Sequence, residues 1–243
     1  MATALVTGAS RGIGFAITEK LFEDGFKVIG TAYSSDFSDQ WTEGENFTGI
    51  HADLSDHQKL KEILKPVVQS ECPDVLINNA GISLPADFTV SDENWLNVWE
   101  STMRVNLRAS ALLCKWFINS HLENGSEGVI INIASRAAYR GDTQQYAAYA
   151  ASKGGMVAFT KSIARDFGKN GIVAYSIAPG FIDTDMARES VDVYGEEYLL
   201  KDSAFGEITK PGEVANLVSF LASGKAKHAT GSTFHINGGS YMI

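Results

Sequence analysis

The sequence contains few cysteines and no long apolar run. Its two cysteines, Cys72 and Cys114, are too few for a disulfide framework or a metal site, so we expect reduced thiols and a cytoplasmic protein. No apolar run approaches the ~18 residues that a membrane-spanning helix requires. The first predicted strand begins near Thr3, which leaves no room for a signal peptide. These absences predict a protein without a bound metal and without a membrane partner.

Positive charge is also scarce. Lys and Arg number 20 against 29 Asp and Glu, which gives a net charge of −9. Such a chain repels the phosphates of nucleic acids and of anionic lipids, so we expect neither as a partner. No linker, repeat or low-complexity tract interrupts the sequence. With 44% hydrophobic residues, residues 1–243 are predicted to form one α/β domain with a sizeable core.

A glycine-rich turn follows the first predicted strand. It reads Thr7-Gly-Ala-Ser-Arg-Gly-Ile-Gly14 and leads directly into an amphipathic helix. Gly8, Gly12 and Gly14 allow the backbone to turn tightly and to approach a pyrophosphate, whose charge is stabilised at the N-terminus of a helix. The position of this turn between a first strand and a first helix predicts a dinucleotide-binding fold.

The end of the second predicted strand indicates which dinucleotide is bound. Many such folds carry an acidic residue there for the adenosine ribose, but here Ala32 occupies this region. An acidic side chain would repel a 2′-phosphate, so its absence favours NADP(H), with Arg11 as a cation and Tyr33 as a hydroxyl donor. Because Asp36 and Asp39 follow closely, NAD(H) stays an alternative.

Tyr149 and Lys153 lie four residues apart in an alanine-rich predicted helix. They therefore share one helix face, where the ammonium favours the phenolate and lowers the phenol pKa from its usual value of about 10. Ser135 follows a β-branched run typical of a buried parallel strand, and its hydroxyl points into the crevice where such sheets bind ligands. A surface contact is the alternative interpretation of the Tyr–Lys pair, but the strand, the serine and the glycine turn favour an active site.

Asn106 lies in an apolar stretch of a helix predicted from about Asp92 to Leu122. A buried amide needs hydrogen-bond partners, so Asn106 is either a satisfied core residue or a residue that holds a water molecule in the site. The sequence leaves both interpretations open.

Two further segments carry predictions about assembly and access. Lys153 is the only charged residue from 147 to 160, so we expect a helix that is buried on every side, which requires a subunit interface. Residues 187–210 are rich in Tyr, Glu and Asp with weak periodicity, which predicts a lid over the substrate.

These motifs, in this order, resemble the short-chain dehydrogenase/reductase family over essentially the whole chain, and within it the 3-oxoacyl carrier-protein reductases. The resemblance implies a single Rossmann-type, doubly wound parallel sheet of about seven strands with helices on both faces, often assembled as a homotetramer. It also implies an oxidoreductase acting on carbonyl or alcohol groups. The residues that carry it are Thr7-Gly-Ala-Ser-Arg-Gly-Ile-Gly14, Asp53-Leu54, Asn78-Asn-Ala-Gly81, Asn106, Ser135, Tyr149, Lys153, Pro179-Gly180 and Thr184.

By this resemblance, Ser135 fixes a carbonyl oxygen and Tyr149 donates the proton. Lys153 lowers the tyrosine pKa and holds the nicotinamide ribose, and Asn106 holds a water that links Lys153 to solvent. The cofactor-binding residues implied by the motifs are Gly8, Ser10, Arg11, Gly12, Ile13, Gly14, Tyr33, Asp53, Leu54, Asn79, Ala80, Gly81, Tyr149, Lys153, Pro179, Gly180, Ile182 and Thr184.

The sequence leaves the substrate open. An acidic carrier protein needs cations near the mouth of the site, yet the chain is acidic and residues 121–127 contain two glutamates. Candidates for a local basic patch are Arg104, Arg108, Arg136 and Arg140. An acyl thioester, a free ketone and a sugar-like polyol remain as substrates, and NAD-dependent alcohol oxidation and non-catalytic redox sensing remain as competing functions.

Overall fold

Seven parallel strands form one sheet in the order β3, β2, β1, β4, β5, β6, β7. The structure, a computed structural model, describes residues 1–42, 44–188, 195–200 and 202–243. The strands are β1 (Thr3–Thr7), β2 (Lys27–Ala32), β3 (Phe47–His51), β4 (Val75–Asn78), β5 (Gly128–Ile133), β6 (Ile172–Pro179) and β7 (Thr233–Ile236). The helices in these described residues are α1 (Gly12–Glu23), α2 (Asp39–Thr42), α3 (His57–Glu71), α4 (Asp92–Met103), α5 (Ser110–Asn124), α6 (Ala137–Arg140), α7 (Ala147–Phe167), α8 (Glu196–Leu200) and α9 (Pro211–Ala222).

Helices cover both faces of the sheet, which explains why its central strands are apolar throughout. Along β1, Val6 packs on the face covered by α1 and α9, whereas Leu5 packs on the face covered by α3, α5 and α7. The strand order reverses between β1 and β4, both of which pair in parallel. This reversal opens a crevice at the carboxyl ends of the two strands, so the predicted doubly wound fold is confirmed.

The helix predicted from Asp92 to Leu122 is interrupted. Helix α4 ends at Met103, a π-helical turn spans Arg104–Ala109, and α5 begins at Ser110. A π turn holds an extra residue, so the side chains after it are rotated relative to an uninterrupted α-helix. The turn contains Asn106, which is fully buried. The chain is thus helical over the predicted range, but it departs from α-helical geometry at Asn106.

The predicted burial of α7 on every side requires a second subunit, so it stays a prediction. Lys153 and Met156 are buried against the protein, but Ala151 and Ala158 are exposed. One apolar face of α7 therefore stays open.

The predicted lid at 187–210 falls partly on residues 189–194 and 201, which lie outside the described residues, so it stays a prediction. In the parts of the chain that the structure describes, no helix has the length and apolarity to cross a bilayer.

Candidate active site

The glycine-rich turn packs tightly against neighbouring loops. Gly8 and Gly12 adopt positive φ values of +67° and +56°, which side chains other than glycine rarely tolerate. A Cβ at Gly14 would lie only 1.9 Å from the carbonyl oxygen of Gly8. Gly14 is therefore required for packing of α1 under the turn and does not line the cleft, although the sequence predicted it as a cofactor-binding residue.

Side chains from β1 and β4 join at the point where the strand order reverses. The Thr7 hydroxyl accepts hydrogen bonds from the backbone N–H groups of Asn79 and Ala80, both at 3.0 Å. The Asn79 side-chain amide donates to the carbonyl oxygens of Thr7 at 2.9 Å and Gly8 at 3.1 Å. Asn79 thus fixes the shape of the glycine turn while also lining the cleft.

Ser135 and Tyr149 form a hydroxyl pair at the carboxyl end of β5. Ser135 is 9% exposed, and its Oγ accepts the backbone N–H of Ala137 at 3.1 Å. The Tyr149 phenol lies in the first turn of α7, and the Ser135 hydroxyl acts to lower its pKa. Both side chains line the cleft. Two hydroxyls converging on one position can bind a single oxygen of a ligand.

Lys153 lies one turn after Tyr149 on α7. Its Nζ donates to the carbonyl oxygen of Ile133 at 2.8 Å and lies 5.7 Å from the centre of the Tyr149 ring. A Cβ at Gly81 would approach this Nζ to 3.3 Å, so the glycine leaves room for the ammonium beside the end of β4. Lys153 is only 3% exposed, and it lines the cleft together with Tyr149.

Asn106 supports this arrangement from the π-helical turn. Its Oδ1 accepts the backbone N–H of Ile82 at 2.8 Å, and its Nδ2 donates to the Ile82 carbonyl at 2.9 Å and to Ser152 Oγ at 3.0 Å. The amide is therefore satisfied by protein groups, which supports the first of its two interpretations. Asn106 does not line the cleft. The water-holding role implied by the resemblance stays a prediction.

Burial is the largest influence on the pKa values of Tyr149 and Lys153. Burial raises the pKa of the Tyr149 phenol, and the negative charge of Asp142 raises it further. Hydrogen bonding by Ser135 lowers this pKa, but by less than burial raises it. Burial also lowers the pKa of Lys153 to about 8. Desolvation of the phenolate sets the net direction of the Tyr149 pKa shift, and the lowering of this pKa by Lys153 stays a prediction. Tyr149 is held in its protonated form near neutral pH, as a proton donor requires.

A single cleft of about 920 Å³ connects the glycine turn to the hydroxyl pair. Almost all predicted site residues line it, namely Gly8, Ser10, Arg11, Gly12, Ile13, Tyr33, Asp53, Leu54, Asn79, Ala80, Gly81, Ser135, Tyr149, Lys153, Pro179, Gly180, Ile182 and Thr184. Gly14 and Asn106 are the exceptions. Ser101 and Val105 also line it and were missed. Their four-residue spacing places them on one helix face, but neither residue type signals chemistry.

The cleft fits a dinucleotide. A Cβ at Gly12 would lie 3.2 Å from Thr184 Cγ2, so the glycine keeps a narrow backbone channel open beside the N-terminus of α1. Such a channel suits a pyrophosphate. At the other side of the turn, Asp53 accepts hydrogen bonds from the Ser55 backbone and hydroxyl through one oxygen, Oδ1, at 2.8 and 2.7 Å. Its position in the cleft suits a contact with the adenine portion.

Comparison with known proteins identifies the family. A family model described as enoyl-(acyl carrier protein) reductase matches residues 8–241. A solved short chain dehydrogenase/reductase family protein superposes with a TM-score of 0.86 at 28% identity, over 100% of this chain and 98% of the other. A putative NAD(P)-dependent gluconate 5-dehydrogenase from Beutenbergia cavernae gives a TM-score of 0.90 at 30% identity, over 98% and 96%. The chain therefore belongs to the short-chain dehydrogenase/reductase family and is an NAD(P)-dependent oxidoreductase.

Similar curated proteins share one name. The 3-oxoacyl-[acyl-carrier-protein] reductase FabG of Vibrio cholerae is 38% identical over 99% of this chain and 97% of its own length. The protein of the same name from Escherichia coli K12 is also 38% identical, with the same coverage. This chain is thus similar along its whole length to reductases of 3-oxoacyl groups.

Proposed function

We propose that this oxidoreductase reduces ketones with NADPH through Ser135, Tyr149 and Lys153. The single observation that carries the proposal is that the side chains of Ser135 and Tyr149 line the same cleft as the glycine turn. Its similarity to 3-oxoacyl reductases makes a 3-oxoacyl thioester the first substrate to test.

In the proposed reaction, the hydroxyls of Ser135 and Tyr149 both donate hydrogen bonds to the ketone oxygen and polarise the carbonyl bond. The bound reduced dinucleotide supplies the hydride. Tyr149 then gives its proton to the developing alkoxide, and general acid catalysis of this kind contributes about 10²–10⁴-fold to the rate. The nearby Lys153 ammonium stabilises the resulting phenolate until the proton is replaced.

The preference for NADPH is supported by the side chains beyond β2. Arg11, Tyr33, Ser34 and Ser35 line that part of the cleft, whereas Asp36 does not. The groups available to a ribose substituent there are a guanidinium and hydroxyls, which bind a 2′-phosphate and have no charge that repels it.

Substitution of Arg11 by Ala tests this preference. We expect the Kd for NADPH to rise about tenfold, since a charge-assisted hydrogen bond to the phosphate is lost, while the Kd for NADH stays unchanged. Fluorescence titration of both nucleotides measures the effect. Arg165→Ala, which removes an exposed arginine on α7 outside the cleft, is the matched control. Tighter binding of NADH than of NADPH by the unmodified protein would refute the assignment.

The function itself is tested by NADPH oxidation with the acetoacetyl thioester of N-acetylcysteamine, with Tyr149→Phe as the blank. Turnover by the unmodified protein alone is expected. If the protein binds NADPH but reduces no ketone, the proposal fails. Oxidation of a small alcohol with NAD would then be the second candidate, since one structurally similar protein is a 4-hydroxyisoleucine dehydrogenase complexed with NADH.

We also propose that the protein is a homo-oligomer, with a tetramer as the expected form. The support is an exposed apolar surface on and before α4, where Phe88 is 60% and Leu96 is 50% exposed and the rings of Trp95 and Trp99 stack 5.1 Å apart. A monomeric protein rarely exposes such a patch. Size-exclusion chromatography with light scattering should give a multiple of the 26.2 kDa chain mass, and a stable monomer would contradict the proposal.

A further inference from the structure

Arg136 is a buried cation in the same cleft as Ser135 and Tyr149. It directly follows Ser135, its backbone N–H donates to the carbonyl oxygen of Pro179 at 2.9 Å, and it lines the cleft although the residue is only 5% exposed. A guanidinium stays charged at any physiological pH, and burying it is costly unless an anion and hydrogen-bond acceptors compensate. The fold thus places a cation within one residue of the serine that binds the carbonyl.

The protein satisfies this guanidinium only in part. Its Nη1 donates to the Ser240 hydroxyl at 2.5 Å, and its central carbon lies 4.4 Å from the centre of the Phe181 ring. These contacts use one N–H group and one face of the guanidinium plane. A guanidinium carries five N–H donors, so most of them have no recorded partner among the described residues. Among the described residues, no carboxylate lies within 4.0 Å of it.

More distant charges do not replace an ion pair. The carboxylates that act on Arg136 from a distance are Asp202 and Asp142, and the charge of Arg140 acts against them. The net result is that burial, followed by the charge of Arg140, lowers the pKa of Arg136. The site therefore holds a cation whose electrostatic partner is missing from the described part of the protein.

We propose that Arg136 binds the carboxylate of the substrate, so that the protein reduces a free oxo acid whose ketone oxygen is held by Ser135 and Tyr149. This inference rests on the proposed ketone reduction and names its substrate class. Ser135 and Arg136 line the same cleft, so one ligand that carries both a ketone and a carboxylate can contact both residues. The planar fork of N–H groups matches a carboxylate in a bidentate arrangement.

A thioester does not provide this partner. Its carbonyl and sulfur are neutral, and the phosphate groups of a carrier or of coenzyme A lie many bonds from the reacting ketone. An anion close to the ketone is what the position of Arg136 requires. A purely structural role is the rival explanation, in which Arg136 joins Phe181 to the C-terminal segment through Ser240.

The experiment compares acids with their neutral esters. Pyruvate, acetoacetate and levulinate are assayed with NADPH beside their methyl esters. We expect the unmodified protein to reduce one of these acids with a kcat/KM at least tenfold above that of its ester. Arg136→Met should lower this acid-to-ester ratio at least tenfold, because a charged hydrogen-bonding partner of the carboxylate is lost. Arg136→Lys, which keeps the charge without the fork, should retain part of the preference.

Ser240→Ala is the matched control. It removes the structural hydrogen bond and leaves the guanidinium, so we expect it to keep the acid-to-ester ratio. If Ser240→Ala lowers the ratio as Arg136→Met does, or if Arg136→Met slows acid and ester equally, the structural explanation is correct and ours is wrong. Thermal melting of each variant establishes that the folded protein is being compared.

Binding gives a second readout on the unmodified protein and does not depend on any variant folding. Calorimetry of the protein loaded with NADP⁺ should give a Kd for butanoate at least tenfold lower than the Kd for the uncharged butanamide. Equal binding would overturn the inference.

The proposed function can fail separately. If thioester and esters are reduced but no acid is preferred, ketone reduction stands and the role of Arg136 is refuted. If Arg136→Met slows only the coenzyme A thioester and not the N-acetylcysteamine thioester, its anion is a phosphate and the carboxylate is refuted. If no ketone in the set is reduced, the proposed function itself fails.

Discussion

Replacing Tyr149 by Phe is expected to lower the kcat of ketone reduction by about 10²–10⁴-fold, the usual contribution of a positioned general acid. The substitution removes only the hydroxyl, so the aromatic ring on α7 and its packing are kept. The Ser135 hydroxyl remains and can still bind the ketone oxygen, but no group is left to transfer the proton. Single-turnover measurements of NADPH oxidation, which exclude product release, would report this loss directly.

Two measurements make that result specific to the proton transfer. Fluorescence titration should give the same Kd for NADPH as the unmodified protein, because the phosphate-binding turn is untouched. Tyr139→Phe should keep its activity, since the Tyr139 hydroxyl donates to Thr233 at 2.6 Å and lies outside the cleft. Retention of full turnover by Tyr149→Phe would remove tyrosine from the mechanism.

The fold could be predicted because its local patterns agree with its tertiary structure. The apolar run that becomes β5 is buried on both faces, as its composition indicated, and Gly25 follows α1 with a φ of +80°, as a C-terminal helix glycine should. The π-helical turn at Asn106 could not be predicted. Its residues have ordinary helical propensity, and the side-chain hydrogen bonds of Asn106 go to Ile82 and Ser152, which are distant in sequence.

The sequence predicted which residues form the site better than it predicted their pKa shifts. Sequence spacing placed Tyr149 and Lys153 on one helix face, and the structure brings them together with Ser135. Spacing does not reveal how deeply each group is buried, and here burial decides the direction of both pKa shifts. The open face of α7 has the same cause, since a sequence pattern states that a surface is apolar without stating what covers it.

Substitution of the buried Lys153 is expected to change stability and activity in opposite directions. Burial lowers its pKa from 10.5 to about 8 in the folded protein. Below pH 8 both folded and unfolded chains carry the proton, and the folded state bears the cost of a buried charge. Between pH 8 and 10.5 only the unfolded chain is protonated, so stability rises with pH across this window. The cost at pH 7 corresponds to about 3 kcal/mol.

Lys153→Met removes this charge with a side chain of similar length. We expect the free energy of unfolding at pH 7 to increase by about 2 kcal/mol, because the loss of the hydrogen bond to the Ile133 carbonyl offsets about 1 kcal/mol of the gain. The rise in stability between pH 8 and 10.5 should disappear in the same variant.

Turnover by Lys153→Met should nevertheless fall at least 10²-fold, because the phenolate of Tyr149 loses the cation that lies 5.7 Å from its ring centre. Urea unfolding across this pH range, beside Lys161→Met as an exposed control on α7, measures the stability terms. A variant less stable than the unmodified protein at pH 7 would show that the buried ammonium is stabilised by its surroundings. A more stable and inactive variant would show that the site keeps a costly charge because the chemistry requires it.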